Sequence, residues 1–252
     1  MAETAFERSA EPPEVGRFSG FDHVLFWVGN AKQAASYYIT RFGYQPYAYS
    51  GLETGNREYT THVIKMDKIV LAFCSPMSGE EETINAHIKL HGDGVKDVAF
   101  TVDDPAGLYE KAISRGAISV RAPEELKDEN GTVTVASIQT YGETIHTFVN
   151  RDNFTGHFLP GFKAVTEDDP INSLFEPMNL LYIDHVVGNQ AEGDMEPTAD
   201  WYTKMLDFHR FWSVDENVMH TEFSALRSVV VADWDETVKM PINEPAPGKR
   251  KS

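Results

Sequence analysis

His185, His220 and Glu222 are residue types that could hold a first-row metal. Neutral imidazole suits iron and zinc. Two histidines with one carboxylate, gathered on one face, leave positions open for a substrate. One such residue makes no site; two or three converging donors are needed. His220 and Glu222 are two apart, so a strand would put them on one face. The same spacing serves an ordinary cross-strand surface pair. His87 and His91 stand one helical turn apart, as in zinc-protease helices, but without the glutamate that follows the first histidine there. They are expected on a helix surface. Ser228, on a strand able to share a face with His185, and Asn243, held between Pro241 and Pro245, could hydrogen-bond a ligand or serve the fold. The single cysteine, Cys74, lies in an apolar run and reads as a buried thiol. His209 beside Arg210 reads as structural. No phosphate loop, dinucleotide glycine fingerprint or nucleophile elbow is present in the sequence.

The elements that must position these residues recur along the chain. Phe21-Asp22-His23-Val24 opens a strand-like run that ends in Val28-Gly29-Asn30, and Ile183-Asp184-His185-Val186-Val187-Gly188-Asn189 repeats it about 162 residues later. After the first copy, Asn30 can cap a helix with Gln33 as its capping-box partner. Ala34, Ala35, Tyr38 and Phe42 are its expected inner face, and Gly43 its end. Strands are expected at 44–49, 59–65 and 68–74, giving the order βαβββ. The order returns with a strand at 97–102, a helix capped by Asp104 and opened by Pro105, and strands at 118–121, 133–139 and 144–150. A third unit begins with a strand at 181–187. Its helix is expected to be capped by Thr198, with strands at 209–214, 218–223 and 228–232.

The fold class is therefore α+β, in tandem βαβββ units. Two complete units form an N-terminal domain, 18–150, and an incomplete C-terminal domain occupies 180–252. Residues 1–17 read as a disordered arm and 151–179 as a linker. The stretch from Pro241 to Ser252 reads as a Pro-rich connector with a basic tip. By the spacing of His23 and Asp97, a fourth unit would open near position ~259, beyond Ser252. The 252 residues are thus expected to be a fragment, or a variant with half a second domain.

The 22 basic and 39 acidic residues leave a net charge of −17, which disfavours nucleic acid and anionic membranes as partners. One cysteine cannot form an intrachain disulfide, and no apolar run reaches membrane-spanning length. With no signal-peptide pattern near Met1, a soluble cytoplasmic protein is expected.

Six stretches in order resemble one family: Phe26–Ser36, Gly51–Gly55, His91–Asp97, Ile183–Asn189, Phe208–Asp215 and Pro241–Gly248. Together they are similar to the animal-type 4-hydroxyphenylpyruvate dioxygenases, from about residue 17 to 252. The resemblance implies the vicinal-oxygen-chelate fold and a non-haem Fe(II) enzyme of tyrosine and phenylalanine catabolism. Such an enzyme converts 4-hydroxyphenylpyruvate and O2 to homogentisate and CO2 and forms a homodimer. It implies that His185 is one of three iron ligands, the second histidine and the glutamate lying beyond Ser252. Ser228, Asn243, Val187 and Pro241 are implied to line the substrate pocket. His23 and Asp97 are not ligands in that family, although Asp97 aligns by repeat with its second metal histidine.

With one ligand of three, a polypeptide of these 252 residues is expected to be inactive alone. The alternatives are a hydroxymandelate synthase acting on the same substrate, or a non-catalytic binding or dimerisation protein of the same fold.

Overall fold

The computed structural model describes residues 11–174, 176, 178–214 and 220–250. The first ten residues of the expected arm therefore lie outside the described residues. The described residues form two compact units: those of Phe21–Thr101 with Val120–Ile183, and those up to Gly20 with Val102–Ser119 and those from Asp184 onward.

The first of these is built on a nine-stranded sheet. Along the chain come β1 (Phe18–Trp27), α1 (Ala31–Phe42), β2 (Gln45–Ser50), β3 (Tyr59–Met66), β4 (Ile69–Pro76), α2 (Glu82–His91) and β5 (Gly94–Val102). After α3 (Pro105–Ser114), which belongs to the other unit, the sheet resumes with β6 (Ile118–Asp128), β7 (Gly131–Gln139), β8 (Ile145–Phe154) and the short β9 (Lys163–Ala164). The spatial order is β6-β7-β8-β5-β1-β4-β3-β2-β9. Each βαβββ unit thus lays its strands first-fourth-third-second. β1 runs parallel to β4 and β5 parallel to β8, the other pairs within a unit being antiparallel. The segment 151–179 carries structure of its own: the end of β8, and β9 paired to β2 through Ala48 and Tyr49. Its Phe158 packs with Ala48, Val63 and Ala72, while Ala99, Val133, Val135 and Val149 form a second core cluster.

Local chemistry explains the helix ends. The Asn30 side chain accepts the Gln33 N–H at 3.0 Å, and Gly43 closes α1 at φ 78°, a left-handed conformation natural to glycine. The buried stripe of α1 is Ala31, Ala35 and Ile39, one step round from the expected face; Tyr38 flanks it and stacks on Phe73. Asp104 accepts the Gly107 N–H at 2.9 Å and caps α3.

The second unit repeats the plan on a smaller sheet. Its strands are β10 (Gly188–Asn189), β11 (His209–Val214), β12 (Ala225–Ala232) and β13 (Lys239–Ala246), ordered β10-β13-β12-β11 and covered by α4 (Met195–Leu206). Tyr202 of α4 and Val231, Met240 and Ile242 of the sheet are fully buried.

Four expectations are corrected in this unit. The strand read at 181–187 is reduced to Gly188–Asn189, because Met178, Leu180 and Leu181 spend backbone groups on Phe42, Met66 and Lys68. The helix starts at Met195, a turn before Thr198, where Glu244 reaches across from β13 to accept the N–H groups of Met195 and of Gly193 just before it. Residues 220–223, read as the end of a strand, make a turn around Thr221, whose hydroxyl accepts the N–H groups of Phe223 and Ser224; residues 218 and 219 lie outside the described residues. The Pro-rich stretch is in part the strand β13. Lys239 and Asn243 aim their carbonyls at the β10 side, accepting from Val186 and Gln190. Pro241 and Pro245, in the same phase, therefore direct their missing N–H toward the side where the partner strand is only two residues long.

Candidate active-site face

The sheet of the smaller unit has two faces. Met240, Ile242, Glu244 and Ala246 are buried on the α4 side, while Lys239, Pro241, Asn243 and Pro245 alternate with them. In register, Ser228 pairs with Asn243 and Asn243 with Asn189, so the three share a row on the face away from α4. The Asn243 amide donates to the Asn189 side-chain oxygen at 3.2 Å. Val230 and Pro241 form the next row. The bond from Val186 N–H to the Lys239 carbonyl carries the parallel register back toward Val187 and His185, which are both exposed. An open cleft of about 1170 Å³ adjoins this face, lined among others by Asn189, His220, Leu226, Asn243 and Arg250.

His185 Nδ1 lies 2.7 Å from an Asp184 carboxylate oxygen, and its side chain is 48% exposed. That hydrogen bond holds the Asp184 carboxyl below its usual range. An ionised Asp184 accepts a hydrogen bond from Nδ1–H, a tautomer that leaves the Nε2 lone pair for a second partner, the arrangement that orients metal-binding imidazoles. No group of three donors among the described residues includes His185. Among the described residues, the one group of three or more metal-binding side chains is His87, His91 and Glu143, in the other unit. The described residues thus bring one donor, His185, to this face, where three would hold iron. His220 and Glu222 do not share a strand face; Glu222 pairs with Lys249 at 3.2 Å. His87 is buried rather than on the helix surface, and only His91 is exposed. Cys74 is buried as expected, and burial pushes its thiol up to about 11.

The repeat copy shows what the same dipeptide becomes inside a complete unit. Asp22 and His23 keep the short carboxylate–Nδ1 bond, at 2.6 Å, but both are buried. Asp22 also accepts two bonds from Arg151, at 2.8 and 2.6 Å, and one from Thr101 at 3.2 Å. Burial works to raise its pKa, yet the bonds and charge of Arg151, with His23, outweigh burial and hold the carboxyl far below the usual range. Neighbouring Asp97 accepts the Thr147 N–H at 3.0 Å and the Thr147 hydroxyl, and burial lifts it to about 6. His146, wholly buried with Nδ1 2.8 Å from the Val98 carbonyl, is pushed down to about 4 by burial.

These two shifts oppose each other. Between pH 6.5 and about 4 the unfolded chain protonates His146 and the native unit resists, so His146 lowers stability as pH falls. Between about 6 and 3.8 the native unit binds the Asp97 proton more tightly, so Asp97 raises stability as pH falls. Each is worth on the order of 3 kcal/mol. Asp97→Asn removes only the compensating half. Its unfolding free energy in urea should fall more steeply than that of the wild type from pH 6 to 4. Parallel curves would refute the assignment.

The tandem βαβββ units have the vicinal-oxygen-chelate fold, and residues 182–252 match the Glyoxalase/Bleomycin resistance protein/Dioxygenase superfamily. Over most of its length the chain is similar in sequence to 4-hydroxyphenylpyruvate dioxygenases. It is 54% identical over 246 residues to that of Tetrahymena thermophila, covering 96% of this chain and 61% of the relative. It is 58% identical over 234 residues to that of Dictyostelium discoideum, covering 92% and 64%, and 50% identical over 250 residues to that of Danio rerio, covering 99% and 63%. The chain thus spans a little over three fifths of the length of these relatives. A solved triple mutant of 4-hydroxymandelate synthase from Streptomyces coelicolor shares the fold, with TM-score 0.77 and 20% identity over 92% of this chain and 65% of that one. No helix among the described residues is long and apolar enough to cross a membrane.

Proposed function

We propose that the chain is part of a 4-hydroxyphenylpyruvate dioxygenase, with residues 18–150 as its N-terminal domain and 180–252 opening the domain that binds substrate. The observation that carries this reading is the shared row of Ser228, Asn243 and Asn189, with Val187 and Pro241 in phase beside it. On that reading Ser228 and Asn243 orient the polar groups of 4-hydroxyphenylpyruvate, and Val187 and Pro241 lie against its aromatic ring. His185 would be one of the residues that hold Fe(II), its ring oriented by the hydrogen bond to Asp184. Iron would supply the oxygen chemistry once further ligands complete its site. On this reading the protein works as a cytoplasmic homodimer with O2 as co-substrate, of which only the use of O2 is carried by the name dioxygenase of its relatives.

The test is homogentisate formation from 4-hydroxyphenylpyruvate by the protein at the length of its relatives. His185→Ala should reduce it about a hundredfold or more, as loss of a metal ligand does. Near-normal turnover in that variant would overturn the assignment. A polypeptide of residues 1–252, with one donor at the site, should form no detectable product.

A further inference from the structure

His87, His91 and Glu143 form a second constellation that the proposed chemistry does not use. His87 and His91 sit one turn apart on α2, so both rings leave the same face, 4.6 Å between centroids. The turn between β7 and β8 brings Glu143 against them. One carboxylate oxygen lies 3.0 Å from His87 Nδ1 and 3.1 Å from His91 Nε2. Donor atoms held on one ion at about 2.0–2.2 Å are about 3 Å apart, and the donor atoms of this triad all lie within 4.8 Å of one another. The elements that present them are fixed. Trp27 packs edge-on against the His87 ring at 5.0 Å, and Lys96 lies over Trp27 while bonding the Glu143 backbone carbonyl. His87 is buried, whereas His91 and Glu143 are 43% and 51% exposed, so the cluster has one anchored ligand and a solvent-open side.

We propose that His87, His91 and Glu143 bind a divalent first-row cation of the Zn(II) class, tying α2 to the β7–β8 turn at a place distinct from His185. Two imidazoles and a carboxylate are a donor set that suits zinc, with solvent filling the remaining position. The cost is the nearby positive charge of Lys96. It is offset in part because that ammonium already rests on the Glu143 carbonyl and on the Trp27 ring face.

The experiment is calorimetric titration of the untagged, chelator-stripped chain with Zn(II) alone, in a His185→Ala background that removes the other candidate ligand. Visible absorption on adding Co(II) reports imidazole coordination. One equivalent should bind. His91→Gln and Glu143→Gln, at exposed positions that leave the core untouched, should each weaken binding by about a hundredfold. Co(II) should also quench tryptophan emission, with part of the quenching lost in Trp27→Phe. Absence of binding in the parent, or equal affinity in parent and variants, would overturn the proposal and leave Glu143 as a hydrogen-bonded bridge between two imidazoles.

Discussion

Replacing Arg151 by methionine is expected to destabilise the larger unit by about 3–5 kcal/mol, among the largest effects a single substitution can have here. The reason lies in what is left behind. The Asp22 side chain is 4% exposed, and two of its hydrogen bonds come from the Arg151 guanidinium in a two-pronged grip. Without Arg151 the carboxylate keeps only Thr101 and His23 as partners and must either stay charged in an apolar setting or take up a proton. The variant should therefore lose stability at neutral pH and recover part of it as pH falls, because the stranded native Asp22 takes up a proton before the unfolded chain does. Asp22→Asn combined with Arg151→Met removes the stranded charge, so the pair should be more stable than the single variant. Equilibrium urea unfolding of all three at pH 7 and pH 5 checks this. Equal stability of the single and double variants would mean that Arg151 acts through packing on Phe158, whose ring lies 5.5 Å from the guanidinium.

Glu244→Ala should cost the smaller unit about 3–4 kcal/mol, summing one charge-assisted pair and two charge-assisted backbone bonds. The carboxylate is buried at the start of α4, where it accepts the N–H groups of Gly193 at 2.8 Å and Met195 at 3.2 Å. Its other oxygen meets Arg227, directly opposite on β12, at 2.8 Å. A negative charge at a helix N-terminus is favourable, and here it replaces the cap that the Asp194 side chain does not make. Glu244→Gln keeps an acceptor for the helix but gives up the charge, and should cost about half as much. Because Glu244 adjoins Asn243 on β13, the alanine variant should also loosen the face that carries Asn243. Its affinity for the proposed substrate should then fall with its thermal midpoint. An alanine variant as stable as the wild type would show that solvent caps α4 equally well.

The Asp-His repeat, the βαβββ order, the capping of α1 by Asn30 and of α3 by Asp104, and the buried character of Cys74 were all legible in the sequence. Each depends on interactions within a few residues or on a period, and those follow from local geometry. Ser228, Asn243, Val187 and Pro241 were nameable through resemblance to a family. That they share a phase on one face follows from the register of β10, β13 and β12, which is a property of paired strands. Glu244 gave no sequence signal as a helix cap, since it lies some fifty residues from the helix it caps. Likewise, α2 was expected to show both histidines to solvent. Trp27 and Glu143, distant in sequence, bury His87 and turn an i, i+4 pair into a three-donor cluster. The prolines of β13 suggested a connector, and only the shortness of β10 made a strand possible there. Sequence by itself determined the units, their order and the kinship of the chain. The tertiary structure decided which polar groups meet, because burial and long-range pairing set the partners of a charged side chain.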